Sequence, residues 1–139
     1  MNRLHLQYVV TAAIASIAFV AASSTQPLRA AAPETAMVTL HAKAGAETEL
    51  ARVLERHWAT ARRLNLVLPE THVTLRGTED RDKTYFVEVF TWRDGDIPDS
   101  APPEIQAIWA DMNRLVEPRG GRPGLSFTEV SIVPASREL

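Results

Sequence analysis

The stretch "THVTLRGTEDRDKTYFVEVFTWRDG" (Thr71–Gly95) reads as two strands joined by a turn. Val73 and Leu75 alternate with His72, Thr74 and Arg76. "GTEDRDK" turns the chain, and Thr84–Trp92 returns with Tyr85, Val87 and Val89 alternating with Phe86, Glu88, Phe90 and Trp92. Directly opposed residues of a hairpin have position numbers of constant sum. The aliphatic set is odd-numbered and the other set even-numbered, so an even sum keeps each on one face, and burial selects that register. The aliphatic odd face is expected to pack on helices. Glu88 then lies on the other face, opposite or diagonal to Thr74 and Arg76, with His72 nearby.

Working outward, "MVTLHAKAG" (Met37–Gly45) alternates as a strand, with Val38, Leu40 and Ala42 expected to face the helices and Thr39, His41 and Lys43 to share the face of Glu88. "AETELARVLERHWATARRLNLVL" (Ala46–Leu68) repeats its apolar residues at three and four, the spacing of an amphipathic helix, with Glu47 and Glu49 early and Arg62 and Arg63 late. A second helix is predicted from Pro103 to Glu117 on the stripe Ile105, Ile108, Trp109, Met112, Leu115 and Val116. A last strand covers Leu125–Val133. The order β-α-β-β-α-β predicts an α+β, ferredoxin-like fold: a four-stranded antiparallel sheet, first and third strands central, with two helices on one face. The uncovered face calls for a symmetric homodimer, whose interface would hold the polar cluster His41, His72, Arg76 and Glu88.

The ends read differently. "MNRLHLQ" followed by the uncharged apolar run Tyr8–Ala22 matches an export signal, residues 1–23, shorter than the ~20 apolar residues a spanning helix needs. No stable membrane span is expected after cleavage near Ala22–Ser24. Residues 24–36 read as a flexible linker, 37–134 as the folded domain and 135–139 as a tail. The expected location is periplasmic or extracellular. The chain has no cysteine, which excludes lipidation at cysteine, disulfides and thiolate metal sites. With 15 Lys+Arg against 17 Asp+Glu and no basic cluster, nucleic acid is not an expected partner.

The element order, "YFVEVFTWRD" as third strand, "PPEIQAIWADMNRLVE" after it and the closing "LSFTEVSIV" resemble the dimeric α/β-barrel superfamily, in particular antibiotic biosynthesis monooxygenase-like domains. The resemblance covers Met37 to about Val133. It implies two protomers packed sheet to sheet, a pocket between each sheet and its helices, and in some members oxidation of phenols or quinols by O2 without metal or flavin. Haem-degrading relatives are similar to a pattern of Asn on the first strand, Trp on the third and His on the helix after it. Here Trp92 matches, but the first strand has Thr39 or His41 and the second helix only Gln106 and Asn113, so haem ligation is not carried over.

Within that frame His57 shares an inward stripe with Leu50, Leu54, Ala61 and Leu64 and is the candidate general base; a core histidine with one satisfied bond is the other reading. Trp58, Tyr85 and Trp92 are candidate substrate-binding walls, while Trp109 reads as core. His41, His72 and Glu88 are ligand types without ligand spacing, so no metal is expected, and no cofactor. The implied function is an exported, cofactor-independent monooxygenase of a small aromatic or quinol. The alternative is a non-catalytic dimeric module that binds a small ligand or stabilises an assembly.

Overall fold

The computed structural model describes residues 30–135. It runs β1 (Glu34–His41), α1 (Glu47–Arg63), β2 (Val67–Glu79), β3 (Lys83–Trp92), α2 (Pro103–Leu115) and β4 (Leu125–Val130). One antiparallel sheet has the order β2-β3-β1-β4, with β3 and β1 central as the sequence order requires. The proposed signal (1–23), residues 24–29 of the linker and the last four residues lie outside the described residues. β1 starts at Glu34 rather than Met37 and buries Ala36, so it takes in the end of the stretch read as linker. No helix among the described residues is long and apolar enough to cross a membrane.

Both helices form where the periodicity places them and end earlier than predicted. α1 stops at Arg63 because Asn65 adopts φ 57°. Asn65 N–H then donates to the Arg62 carbonyl and Leu66 N–H to that of Ala61, the paired bonds of a Schellman stop, with Asn in the left-handed position that Gly usually takes. Leu66 and Val67 are thereby released into β2. Pro69 follows at the irregularity between Val67 and His72, where a residue without an N–H cannot join the ladder. α2 begins on Pro102 and Pro103 and ends at Leu115; Val116 turns extended and bridges to Ala42. The core lies between the helices and one sheet face. Leu50 and Leu54 of α1 and Ile105 and Met112 of α2 meet Leu40, Phe90 and Trp92 of the sheet there. Each such side chain, buried, contributes on the order of 1.5–3 kcal/mol.

The even pairing sum holds: Thr74 is opposite Glu88, Arg76 opposite Phe86 and His72 opposite Phe90. The face assignment of the hairpin does not. Glu88, Phe86, Phe90 and Trp92 turn toward the helices, and the aliphatic set turns away, with Val73 and Leu75 47 % and 55 % exposed. The reason lies in β1. Val38 pairs with Glu88, and opposed residues share a face, so the helix-facing Ala36, Val38 and Leu40 bring the even residues of β3 with them. Three aromatic rings bury more surface than the valines they displace. Tyr85, expected toward the helices, is on the bare face, where its ring lies across Gly77; a Cβ there would sit 2.2 Å from the tyrosine Cζ.

Candidate functional site

The inversion puts Glu88 where a carboxylate must find partners. It is fully buried beneath α1, and each oxygen meets an imidazole. His57 Nδ1 lies 3.1 Å from Oε2, and His72 Nε2 lies 3.3 Å from Oε1. α1 positions His57 on its buried stripe with Leu50, Leu54 and Ala61, as its spacing predicts. β2 positions His72 near the sheet edge, with Thr74 Oγ1 3.3 Å from its Nε2. Trp58, one residue beyond His57 and partly buried, stacks on His72 at 3.8 Å between centroids and 3° between planes. The guanidinium of Arg62 covers the same indole.

On its other side His57 accepts the indole N–H of Trp109, with Nε2 to Nε1 at 3.2 Å. An indole nitrogen only donates, so the His57 hydrogen sits on Nδ1 and points at Glu88. The order is therefore Trp109 to His57 to Glu88, with His72 on the second oxygen. Trp109, read from its spacing as core, belongs to this chain of bonds. Its place one turn from Ile105 and Met112 on α2 gave no sign that it would face a histidine.

A cavity of about 270 Å³ opens beside this chain, between the sheet and α2. His57, Glu88 and Trp92 line its inner end, with Val38 and Phe90 of the sheet beside them. Trp109, Met112 and Asn113 of α2, together with Leu125 and Phe127 of β4, make the remaining wall. Trp92 is 1 % exposed and stands edge-on to Phe90, His57 and Trp109, its indole nitrogen without a partner among the described residues. Of the predicted substrate-binding residues only Trp92 lines the cavity; Trp58 is behind His72, and Tyr85 is on the opposite face of the sheet.

The predicted polar cluster of His41, His72, Arg76 and Glu88 is divided. His72 and Glu88 are bonded, but under the helices rather than at the bare face. Arg76 is exposed with its guanidinium over Phe86. His41 belongs to the other face, 2 % exposed, its Nδ1 donating to the Pro123 carbonyl at 3.0 Å. It stands 3.9 Å from Glu79, which also receives Arg122 at 2.9 Å and lies 3.6 Å from Arg119. Burial acts to raise the Glu79 pKa; the Arg122 bond and charge, with His41 and Arg119, outweigh it and hold the carboxyl below its ordinary range. Arg119 is itself buried and donates to the carbonyls of Thr84 and Ala42, which ties the loop after α2 to the ends of β1 and β3. Among the described residues no group of three or more His, Cys, Asp and Glu is placed to hold a metal ion.

No family model matches this chain, and no curated protein matches it. Solved structures do. The cofactor-independent oxygenase SnoaB of Streptomyces nogalater, in a point-mutant form, aligns at TM-score 0.57 and 21 % identity over 78 % of this chain and 100 % of that one. A structure described as an antibiotic biosynthesis monooxygenase aligns at 0.54 and 14 % identity, over 73 % of this chain and 99 % of the other. A dimeric ferredoxin-like protein of unknown function from a Jannaschia species aligns at 0.50 and 15 % identity, over 72 % and 99 %. The protein has the ferredoxin-like fold of the antibiotic biosynthesis monooxygenase-like proteins, as the sequence resemblance implied.

Proposed function

We propose that the protein is an exported homodimer that oxidises a small aromatic or quinol substrate with O2 and no cofactor, in the cavity beside Glu88. The observation that supports this is the buried carboxylate–imidazole pair at the inner end of an aromatic cavity, Glu88 Oε2 to His57 Nδ1 at 3.1 Å. Such a pair can hold a hydroxylated ring and take its proton. The electron pair left on oxygen spreads into the ring, and a ring carbon bonds to one atom of O2. The proton returns to the peroxide, and loss of water, made from the outer peroxide oxygen and that carbon's own hydrogen, leaves a new ring carbonyl. A phenol plus O2 gives a quinone plus water, and a quinol plus O2 gives a hydroxyquinone plus water. His57 was the base expected from sequence. With its Nε2 held by Trp109 and its Nδ1–H turned to Glu88, the reading becomes Glu88 as the proton acceptor, and His57 and His72 as the residues that position it.

The same bond favours a second reading. Trp109 occupies the only acceptor nitrogen of His57, and Glu88 has an imidazole on each oxygen, as in a binding module with a satisfied polar core. Oxygen uptake by the mature protein, freed of metal and offered small quinols and naphthols, separates the two. Uptake above the autoxidation blank is expected, with Glu88→Gln slower by about 100-fold or more and His57→Ala less affected. The reverse order would return the base to His57, and no uptake with any substrate would leave the binding module.

A further inference from the structure

We infer that the cavity selects uncharged ring systems that place a hydroxyl or N–H at its inner end, and that Glu88 sets this selection by rejecting anions. It rests on the cavity being the ligand site of the proposed function. Among the described residues Glu88 is the only acidic or basic side chain besides His57 that lines it; no lysine or arginine does. Three arginines of the helices are engaged elsewhere. Arg56 and Arg114 bond Asp111, and Arg63 bonds Glu104, on the outer surface of the helix pair. Arg93 bonds the Asn65 and Val67 carbonyls. A ligand carboxylate or sulfonate entering the cavity would therefore meet the Glu88 carboxyl with no lysine or arginine beside it, inside walls of Phe90, Trp92 and Met112 where one indole N–H replaces only a small part of its lost water.

A donor is treated the opposite way. An ionised carboxyl has about four lone-pair positions, and His57 and His72 take one on each oxygen. Capacity is left for one further O–H or N–H. At the outer end Asn113 is exposed and offers both a donor and an acceptor. The ligand class that fits is a flat apolar body with one donor inward and a tolerated neutral polar group outward. A cavity of about 270 Å³ lies just under the range that holds drug-sized ligands, which points to one or two fused rings.

The test is titration calorimetry of the mature protein at neutral pH with 2-naphthol, 2-naphthoate and 2-methoxynaphthalene. These share one ring system and differ in donor and charge. The naphthol is expected to bind at least about tenfold tighter than either of the others, and in Glu88→Gln the gap to the naphthoate is expected to close to about threefold or less. Equal affinities in the wild type overturn the inference, as does failure of the naphthol to bind. A gap that survives in Glu88→Gln removes Glu88 as its cause. The wild-type comparison decides alone if that variant does not fold. Binding is read without turnover, so a protein that selects the naphthol and consumes no oxygen keeps this inference and loses the oxidation reading.

Discussion

The indole N–H of Trp109 is bonded to Nε2 of His57, joining the second helix to the first through the core side of the cavity. With Nε2 taken as acceptor, the hydrogen of His57 is held on Nδ1, facing Glu88. Trp109→Phe keeps an aromatic ring, a smaller one, and removes the donor. The fold is expected to persist with a loss of about 1 kcal/mol in urea denaturation, and the His57 ring nitrogens to change their NMR tautomer signature. An unaltered nitrogen spectrum would show that the indole does not set the tautomer.

The bare face of the sheet carries an apolar band. Met37, Val89 and Val73 lie in one row across β1, β3 and β2, and Val87 and Leu75 in the next. We infer that this face meets its copy in the homodimer, since exposed Val73 and Leu75 otherwise leave a contiguous patch in water. Leu75→Lys would bring a positive charge from each copy into that apolar contact. Light scattering should report a dimer for the wild type at micromolar concentration and a monomer for the variant. A monomeric wild type would remove the sheet-to-sheet arrangement.

The Glu79 carboxyl is held below its ordinary range in the folded protein, against burial, by Arg122, His41 and Arg119. A depressed folded value gives stability that is complete above the unfolded value, about 4.3, and is lost as pH falls through the folded one. The advantage of wild type over Glu79→Gln in denaturation midpoint should therefore be flat from pH 7 to 5 and shrink below pH 4. An advantage that grows toward acid would contradict the assignment.

The fold was legible because its signals are local and repeated. Period-two stretches gave the four strands, period-three-and-four stretches the two helices, and their order the topology. Helix ends were less so: nothing in "RRLNLVL" distinguishes a continuing apolar stripe from an Asn65 that goes left-handed. The site was half legible. His57 was placed inward by its stripe and Trp92 was singled out by its position, and both line the cavity. Glu88 was placed beside His72 and Thr74, as found, but on the wrong face. A hairpin read alone weighs three valines against three aromatics and one acid. Matching β1 to β3 residue by residue decides the matter, because Val38 cannot oppose Glu88 from the other side of the sheet.

The strand order also dictates when the cavity can exist. β2 and β3 are neighbours in the chain and can pair without any later part of it. β4 pairs only with β1, in a ladder that joins Thr35 to Val130 across the whole domain. Until that late strand arrives, one edge of β1 is an open ladder and the wall made by Leu125 and Phe127 is missing. The chain thus holds Glu88 and both imidazoles well ahead of the strand that completes their compartment; the cavity is the last part of the fold to close.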